Sequence, residues 1–389
     1  MRIGEVIGAA RRISDDIIVL DSGELYKMLQ ISQNAISAKP PYPILADFLF
    51  HVEGSKLTIT ASDLEFTIIS ETDITPGDEG SFAFPSEILV NTLREMPEQP
   101  IELIHEEDTH GLTMNSSYGT YRSSSNDVED YPKIPELEYE TKVTLPGGRF
   151  LKALTTCSFA AATDEMKANM LGISVAFQSD AIEVAATDAH KMVKYTLFYN
   201  NEGIEANFVL PKKVITILKH TITDEDNLTV SFNKNHALFE YKNFKIYCKL
   251  IILPFPNYNG VIPLNNDKEI IVNRQEWLRS LKRITLYGNK TTYQTSFYID
   301  NNEIKIETLD PDFSNEASEV IKCQYVGEPL DLSYNAKFLI DSLSNLETEE
   351  VRLSVSNAGR AAILTPKENE VGENILMLVM PVRMRKASV

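Results

Sequence analysis

Stretches in which apolar and polar residues alternate and then meet an abrupt polar break recur three times along this chain. Between Ile182 and Met192 the residues read I-E-V-A-A-T-D-A-H-K-M, in strand register up to a break at Asp188. K-L-T-I-T-A-S-D-L-E-F breaks in the same way at Asp63, and E-I-K-I-E-T-L-D-P-D-F at Asp310, so the breaks fall 125 and 122 residues apart. Helix-start signals carrying an apolar stripe keep the same interval. One set begins at Ser22, Gly147 and Asn273, a second at Pro85, Pro211 and Asn335. A large residue followed by proline closes each unit, at Tyr131-Pro132, Phe255-Pro256 and Met380-Pro381. Four landmarks sharing one long period identify a structural unit written three times. The implied domains are 17–138, 142–263 and 268–389, of ordinary domain size, behind an N-terminal extension 1–16.

Within the first unit, Ile17–Leu20 reads as a short strand and Ser22 as the N-cap of a helix presenting Leu25, Met28, Leu29 and Ile36 on one face. Strand patterns follow at 48–52, 57–62 and 66–71, then a helix after Pro85, then strands at 101–105, 112–115 and 118–123. A strand, a helix, several strands, a second helix and several more strands describe an α+β unit with antiparallel sheet and not a βαβ winding. The second and third units repeat the order. Glu136–Thr141 and Ile262–Lys268 read as polar linkers, and Trp277, the single tryptophan, as core on the third unit's first helix.

With 389 residues and 43% hydrophobic content the chain can bury several cores, and it contains no run approaching the ~18 apolar residues of a membrane span. Cys157, Cys248 and Cys323 are widely spaced with no C-x-x-C, which indicates neither a disulfide framework nor a zinc site and fits a reducing cytoplasm. The first sixteen residues lack the apolar core of a secretory signal. The acidic loop Thr223–Asn227 reads as a solvated hairpin turn, since no further ligands are patterned near it.

A net charge of −19 argues by itself against a nucleic-acid partner. Its distribution argues the other way. The six predicted helices, 22–36, 86–96, 147–161, 211–222, 273–286 and 335–346, hold twelve Lys and Arg against five Asp and Glu, a net +7, which leaves −26 on the remainder. Helix propensity does not explain the bias, because glutamate is as good a helix former as lysine. Basic helices on an acidic body are the pattern a phosphate-facing surface requires.

Asp188 and His190 have the chemistry of half a general-base constellation. No G-x-S-x-G, nucleophilic cysteine setting or P-loop accompanies them. Moreover the turn reads Asp63-Leu64-Glu65 in the first unit and Asp310-Pro311-Asp312 in the third, so the aspartate recurs where the histidine does not. A recurring turn aspartate is expected to accept backbone N–H bonds. His51, His105, His110, His220 and His236 show no metal spacing. The residues leave three classes open: a binding module for nucleic acid, an enzyme built of repeats around Asp188 and His190, and a scaffold with no nucleic-acid role.

The three repeats, A-T-D-A-H-K-M in the middle unit, P-I-L-A-D-F-L-F with S-D-L-E in the first, F-P-N-Y with Val261-Ile262-Pro263 closing the second, and the terminal L-V-M-P-V-R-M together resemble the beta subunit of bacterial DNA polymerase III, the sliding clamp family. The resemblance covers Ile17 to Arg383. It implies three repeated clamp domains, each with two helices packed on antiparallel sheets, closing as a head-to-tail homodimer into a ring around duplex DNA. It implies a processivity factor without enzymatic activity or cofactor, one that binds DNA without sequence preference because phosphate contacts carry no sequence information. Its partners would be the replicative polymerase, the clamp loader and repair proteins, docking through short peptide motifs, with no membrane involved.

Carried over by motif position, the DNA-facing residues are Lys39, Arg149, Lys152, Lys212, Lys213, Arg279, Lys282 and Arg283. The peptide cleft is expected from Met170, Gly172, Thr187, Ala189, His190, Lys191, Met192, Pro256, Val261, Leu378, Met380, Pro381 and Val382, and the dimer contact from Tyr121, Leu286 and Tyr287. Methionine-rich walls suit a site with many partners. Two departures bear on the cleft: Ala189 stands where the family commonly has glycine, and Met384–Val389 extend past the family's usual end.

Overall fold

The computed structural model describes residues 15–75, 79–106, 109–133, 138–201, 203–223 and 226–383. The extension before residue 15 and the tail Met384–Val389 lie outside the described residues, as do residues 134–137, which include the start of the first linker, and two residues of the acidic loop after Thr223.

The chain runs through one element order three times. The first pass is β1 (Asp15–Asp21), α1 (Ser22–Ser32), β2 (Asp47–Glu53), β3 (Lys56–Ser62), β4 (Phe66–Asp73), β5 (Gly80–Pro85), α2 (Ser86–Arg94), β6 (Pro100–Glu106), β7 (Gly111–Ser116) and β8 (Gly119–Ser124). The second is β9 (Thr141–Pro146), α3 (Gly147–Ser158), β10 (Gly172–Gln178), β11 (Ala181–Thr187), β12 (Lys191–Phe198), β13 (Ala206–Pro211), α4 (Lys212–Thr221), β14 (Asn227–Phe232), β15 (His236–Tyr241) and β16 (Phe244–Lys249). The third is β17 (Lys268–Asn273), α5 (Arg274–Ile284), β18 (Gln294–Asp300), β19 (Glu303–Asp310), β20 (Asn315–Lys322), β21 (Leu330–Asn335), α6 (Ala336–Ser344), β22 (Glu350–Val355), β23 (Ala362–Pro366) and β24 (Glu373–Val379).

Each pass is itself two copies of strand, helix and three strands. The half-repeat was not visible in the sequence pattern, because β5 was not recognised as a strand ahead of α2. The halves exchange their leading strands. β1 pairs with β6 and β5 with β2, and the later passes repeat this as β9 with β14, β13 with β10, β17 with β22 and β21 with β18, all antiparallel. A leading strand therefore never pairs within its own half.

Two compact units result, residues 1–148 with 216–250, and 149–215 with 251–389, so the middle third of the sequence contributes to both. The first unit holds the four-stranded sheet β1-β6-β7-β8 and an eight-stranded sheet, β5-β2-β3-β4-β16-β15-β14-β9. Its core includes Ile18, Leu25, Leu29, Phe48, Phe50, Phe82 and Phe239, with the rings of Phe50 and Phe82 stacked at 5.1 Å. The second unit mirrors it with the eight-stranded sheet β13-β10-β11-β12-β24-β23-β22-β17 and the four-stranded sheet β20-β19-β18-β21. Trp277 is 1% exposed and meets Phe297 edge to face at 6.3 Å, the core role expected for it.

Helix starts follow from the strand ends that precede them. Asp21, not Ser22, caps α1, its carboxylate accepting from the Gly23 and Glu24 N–H groups. Ser22 is buried and its hydroxyl accepts from Gln99 N instead. Asn273 and Asn335 cap α5 and α6 in the same way. The observed helices stop two to four residues before most of the expected ends, and Ile36 falls just beyond the short 3₁₀ turn Gln33–Ala35 that follows α1. All three cysteines are free and buried.

Candidate functional site

The three break aspartates act as the turn chemistry required. Asp63 Oδ1 accepts from the N–H groups of Glu65 and Phe66, Asp310 Oδ1 from that of Asp312, and Asp188 Oδ1 from those of His190 and Lys191, each of the last two at 2.9 Å. Asp188 Oδ2 also receives Lys191 Nζ at 2.6 Å. Burial pushes the Asp188 carboxyl up, but Lys191 and the two N–H groups outweigh it and hold the pKa below the usual aspartate value. Both oxygens are thus occupied by turn contacts, and the His190 ring stacks on Phe338 at 6.3 Å. Thr187 completes the turn, donating to Lys191 O at 2.8 Å and accepting from Ala189 N. Ala189 has φ +73° and Leu64, its counterpart in the first unit, +75°. The left-handed region explains why glycine suits this position.

Directly beyond this turn, residues nearly 190 apart in sequence meet. β12 pairs with β24 so that Lys191 faces Val379 and Met192 faces Leu378, and Met380 N donates to His190 O at 3.1 Å. Met192, Leu378 and Ala361 form a buried cluster against which Tyr258, Ile262 and Leu376 pack. The chain then crosses the neighbouring sheet. Pro381 bridges to Tyr334, Val382 N donates to Ser333 O at 2.9 Å, and Gln294 Nε2 donates to Arg383 O. Phe338 on α6 carries Lys191 Nζ over its ring at 4.7 Å and so joins the same corner. In the sequence Phe338 is indistinguishable from the apolar stripe of its helix, yet it is only half-buried while Leu339 and Leu343 are buried.

The expected cleft residues divide accordingly. Thr187, His190, Lys191, Met192, Leu378, Met380, Pro381 and Val382 are joined by the contacts above. Met192 and Leu378 are core beneath the corner, at 2% and 3% exposure, whereas Met380 is 42% exposed. Val261, at 58%, and half-buried Pro256 lie on the segment whose Tyr258 and Ile262 pack on the cluster. Met170 ends the turn Glu165–Met170, and its carbonyl accepts from Ala162 N. Gly172 is not a wall: it is buried, and a Cβ there would stand 2.5 Å from Leu210 O.

The expected DNA-facing cations also divide. Lys39, Arg279 and Lys282 are exposed and carry no ion pair among the described residues. Lys213 is half-buried, and Lys212 donates to Ala161 O, its pKa lowered first by burial and then by the charge of Lys191. Arg283 is held by both oxygens of Glu319 at 2.8 and 2.6 Å. Arg149 reaches Glu373 at 3.5 Å and Gly372 O at 3.1 Å, while Lys152 lies 2.7 Å from Glu370 and 3.1 Å from Glu373. Counting charges along helices did not reveal these acidic partners, because they come from two strands, β20 and β24, and a turn distant in sequence.

Tyr121, Leu286 and Tyr287 are 41%, 68% and 51% exposed. Tyr121 lies on β8, a sheet edge whose residues are all exposed or half-exposed, beside a groove of about 990 Å³ lined with Ile88, Thr92 and Tyr118. Leu286 and Tyr287 follow α5, which packs on the opposite kind of edge, β20.

Residues 18–135 match the N-terminal domain of the DNA polymerase III beta subunit, 144–257 its central domain and 259–383 its C-terminal domain. The chain belongs to the DNA polymerase III beta subunit family. It is similar to the beta sliding clamp of Synechocystis sp., at 24% identity over 94% of this chain and 99% of that one, and to the beta sliding clamp of Haemophilus influenzae, at 24% over 92% and 98%. Among solved structures, the fold matches the beta subunit from Pseudomonas aeruginosa with a TM-score of 0.89 at 22% identity, and that from Thermotoga maritima with 0.87 at 24%, each covering 95% of this chain and 100% of the other.

Proposed function

We propose that this chain is a processivity clamp: two copies close head to tail into a ring that encircles duplex DNA and tethers the replicative polymerase and other proteins. The carrying observation is an accounting of sheet edges. In every pass one sheet ends in the strand that closes the first half (β4, β12, β20) and the other in the strand that closes the second half (β8, β16, β24). β4 joins β16 and β12 joins β24, which leaves β20 and β8 as the closing strands with no partner on their outer edge among the described residues. A second copy supplies the missing junction twice over, and in the resulting closed ring no sheet ends in a strand that closes a half. Tyr121, Leu286 and Tyr287 lie at those two edges and are assigned to the contact.

We assign three clamp domains, 17–138, 142–263 and 268–389, one to each pass of the element order. The basic helices are assigned to the DNA, with Lys39, Arg279, Lys282 and Lys213 as the principal phosphate contacts. The corner of Thr187, His190, Lys191, Met380, Pro381 and Val382, with Pro256 and Val261, is assigned to partner peptides of the polymerase, clamp loader and repair proteins. The family is a non-enzymatic processivity factor, and the occupied oxygens of Asp188 agree with that. Among the described residues no helix is long and apolar enough to cross a membrane. The clamp reading assigns the protein to the cytoplasm.

The test pairs solution mass with DNA topology. A mass near twice 43.8 kDa, and a protein loaded on circular duplex that is released when the circle is cut, are expected. A monomer, or equal retention on cut and closed DNA, refutes the ring.

A further inference from the structure

α1, α3 and α5 start in the same place relative to their buried anchors: Leu25, Phe150 and Trp277 are each the fourth helical residue and essentially unexposed. The sixth residues, Lys27, Lys152 and Arg279, are therefore equivalent positions. Lys27 and Arg279 are exposed and carry no ion pair among the described residues. Lys152 is only half as free, because the turn that leads into β24 brings two carboxylates to it. Glu373 is buried, with a side chain 5% exposed. It is shared by Lys152, Arg149 and the Tyr195 hydroxyl, while Glu370, 67% exposed, approaches Lys152 from the solvent side at 2.7 Å. The backbone is shaped for this grouping: Gly372 has φ +82°, and a Cβ there would come within 2.8 Å of Arg149 Nη2. Two cations against two carboxylates leave no net charge on this face of α3.

We infer that Glu370 withholds Lys152 from DNA, making α3 the one first helix of the three whose sixth-position cation is cancelled and setting the clamp's grip on duplex below what its helix charge provides. The inference rests on the clamp reading. Glu373 is committed to the fold by burial and by Tyr195, so its negative charge is needed where it stands. Glu370 is exposed and among the described residues its side chain bonds only to Lys152, so its charge can be removed without disturbing packing. Its loss leaves net +1 at a position that is already a free cation in the other two repeats.

The experiment titrates full-length protein and its Glu370→Gln variant against a short mixed-sequence duplex at several salt concentrations. One added phosphate contact per copy is two per ring, which steepens the dependence of log affinity on log salt by about 1.8, so the variant's advantage shrinks about 12-fold between about 50 and 200 mM salt. The gain must disappear in Lys152→Gln/Glu370→Gln and be absent from Glu328→Gln, which removes an exposed carboxylate that forms no ion pair among the described residues. Equal binding by Glu370→Gln and the parent overturns the inference, as does a gain that survives loss of Lys152 or is matched by Glu328→Gln. Failure of the parent itself to be retained on closed circular DNA instead overturns the clamp reading, and this inference with it.

Discussion

Replacing Leu286 and Tyr287 together by aspartate isolates the ring junction from the fold. Both side chains are more than half exposed in the single chain, so the exchange removes little surface buried within one chain and the far-ultraviolet spectrum is not expected to move. At the junction the two are apolar anchors, and a well-placed anchor contributes about 2 kcal/mol. The pair therefore accounts for about 4 kcal/mol per junction. A head-to-tail ring makes two junctions in one association, which doubles the effect to about 8 kcal/mol. Adjacent residues do not contribute independently. If coupling halves the sum, the remaining 4 kcal/mol still weakens dimerisation about a thousandfold. Sedimentation velocity across the nanomolar to micromolar range reads this directly. An undiminished dimer at low micromolar concentration would show that β20 and β8 do not meet through these residues, and the edge accounting would lose its support.

Three further outcomes are expected. Ala189→Gly should raise stability by about 1 kcal/mol, because glycine adopts φ +73° without the cost a Cβ incurs, and an unchanged or lower denaturant midpoint refutes this. Asp188 has a depressed pKa in the fold, so its contribution is present above the ordinary aspartate value of about 3.9 and is lost as pH falls through the folded value. Lys191→Met should therefore narrow the stability gap between pH 7 and pH 3, and parallel pH profiles for the two proteins would contradict it. A labelled peptide bearing glutamine and two large apolar residues should bind at roughly micromolar affinity, limited by the entropy lost on ordering it. Deleting residues 380–389 should abolish that binding, deleting 384–389 alone should not, and equal binding after the longer deletion rules out the C-terminal wall.

The threefold period was legible because strand alternation, a turn aspartate and a helix start each leave a mark in the residue pattern, and all three recur together. The twofold period inside each third was not. β5 presents Phe82, Ala83 and Phe84 as a buried run without alternation, so it resembles the approach to a helix more than a strand. The exchange of leading strands was equally hidden, since β1 finds β6 across about eighty residues and no local signal names the partner. At the site, the meeting of Met192 with Leu378 was implied by the family resemblance and not by the repeat pattern. The burial of both beneath the corner, and the capture of Arg149, Lys152 and Arg283 by carboxylates, depend on register and side-chain reach that a linear charge count does not contain.

The exchanged leading strands fix how such a chain can be cut or enlarged. A half taken alone carries the first strand of its neighbour's sheet and lacks the first strand of its own, so it is born with one orphan and one gap. Two halves satisfy each other completely, which makes the pair, about 120 residues, the smallest interchangeable module. Duplication of one half by itself would leave a strand without a sheet, whereas duplication of a pair adds a finished block with one edge of each kind. Lengthening or shortening the chain is therefore quantised in pairs, and a break introduced between α1 and β6 is expected to be repaired only by a fragment that brings β1 with it.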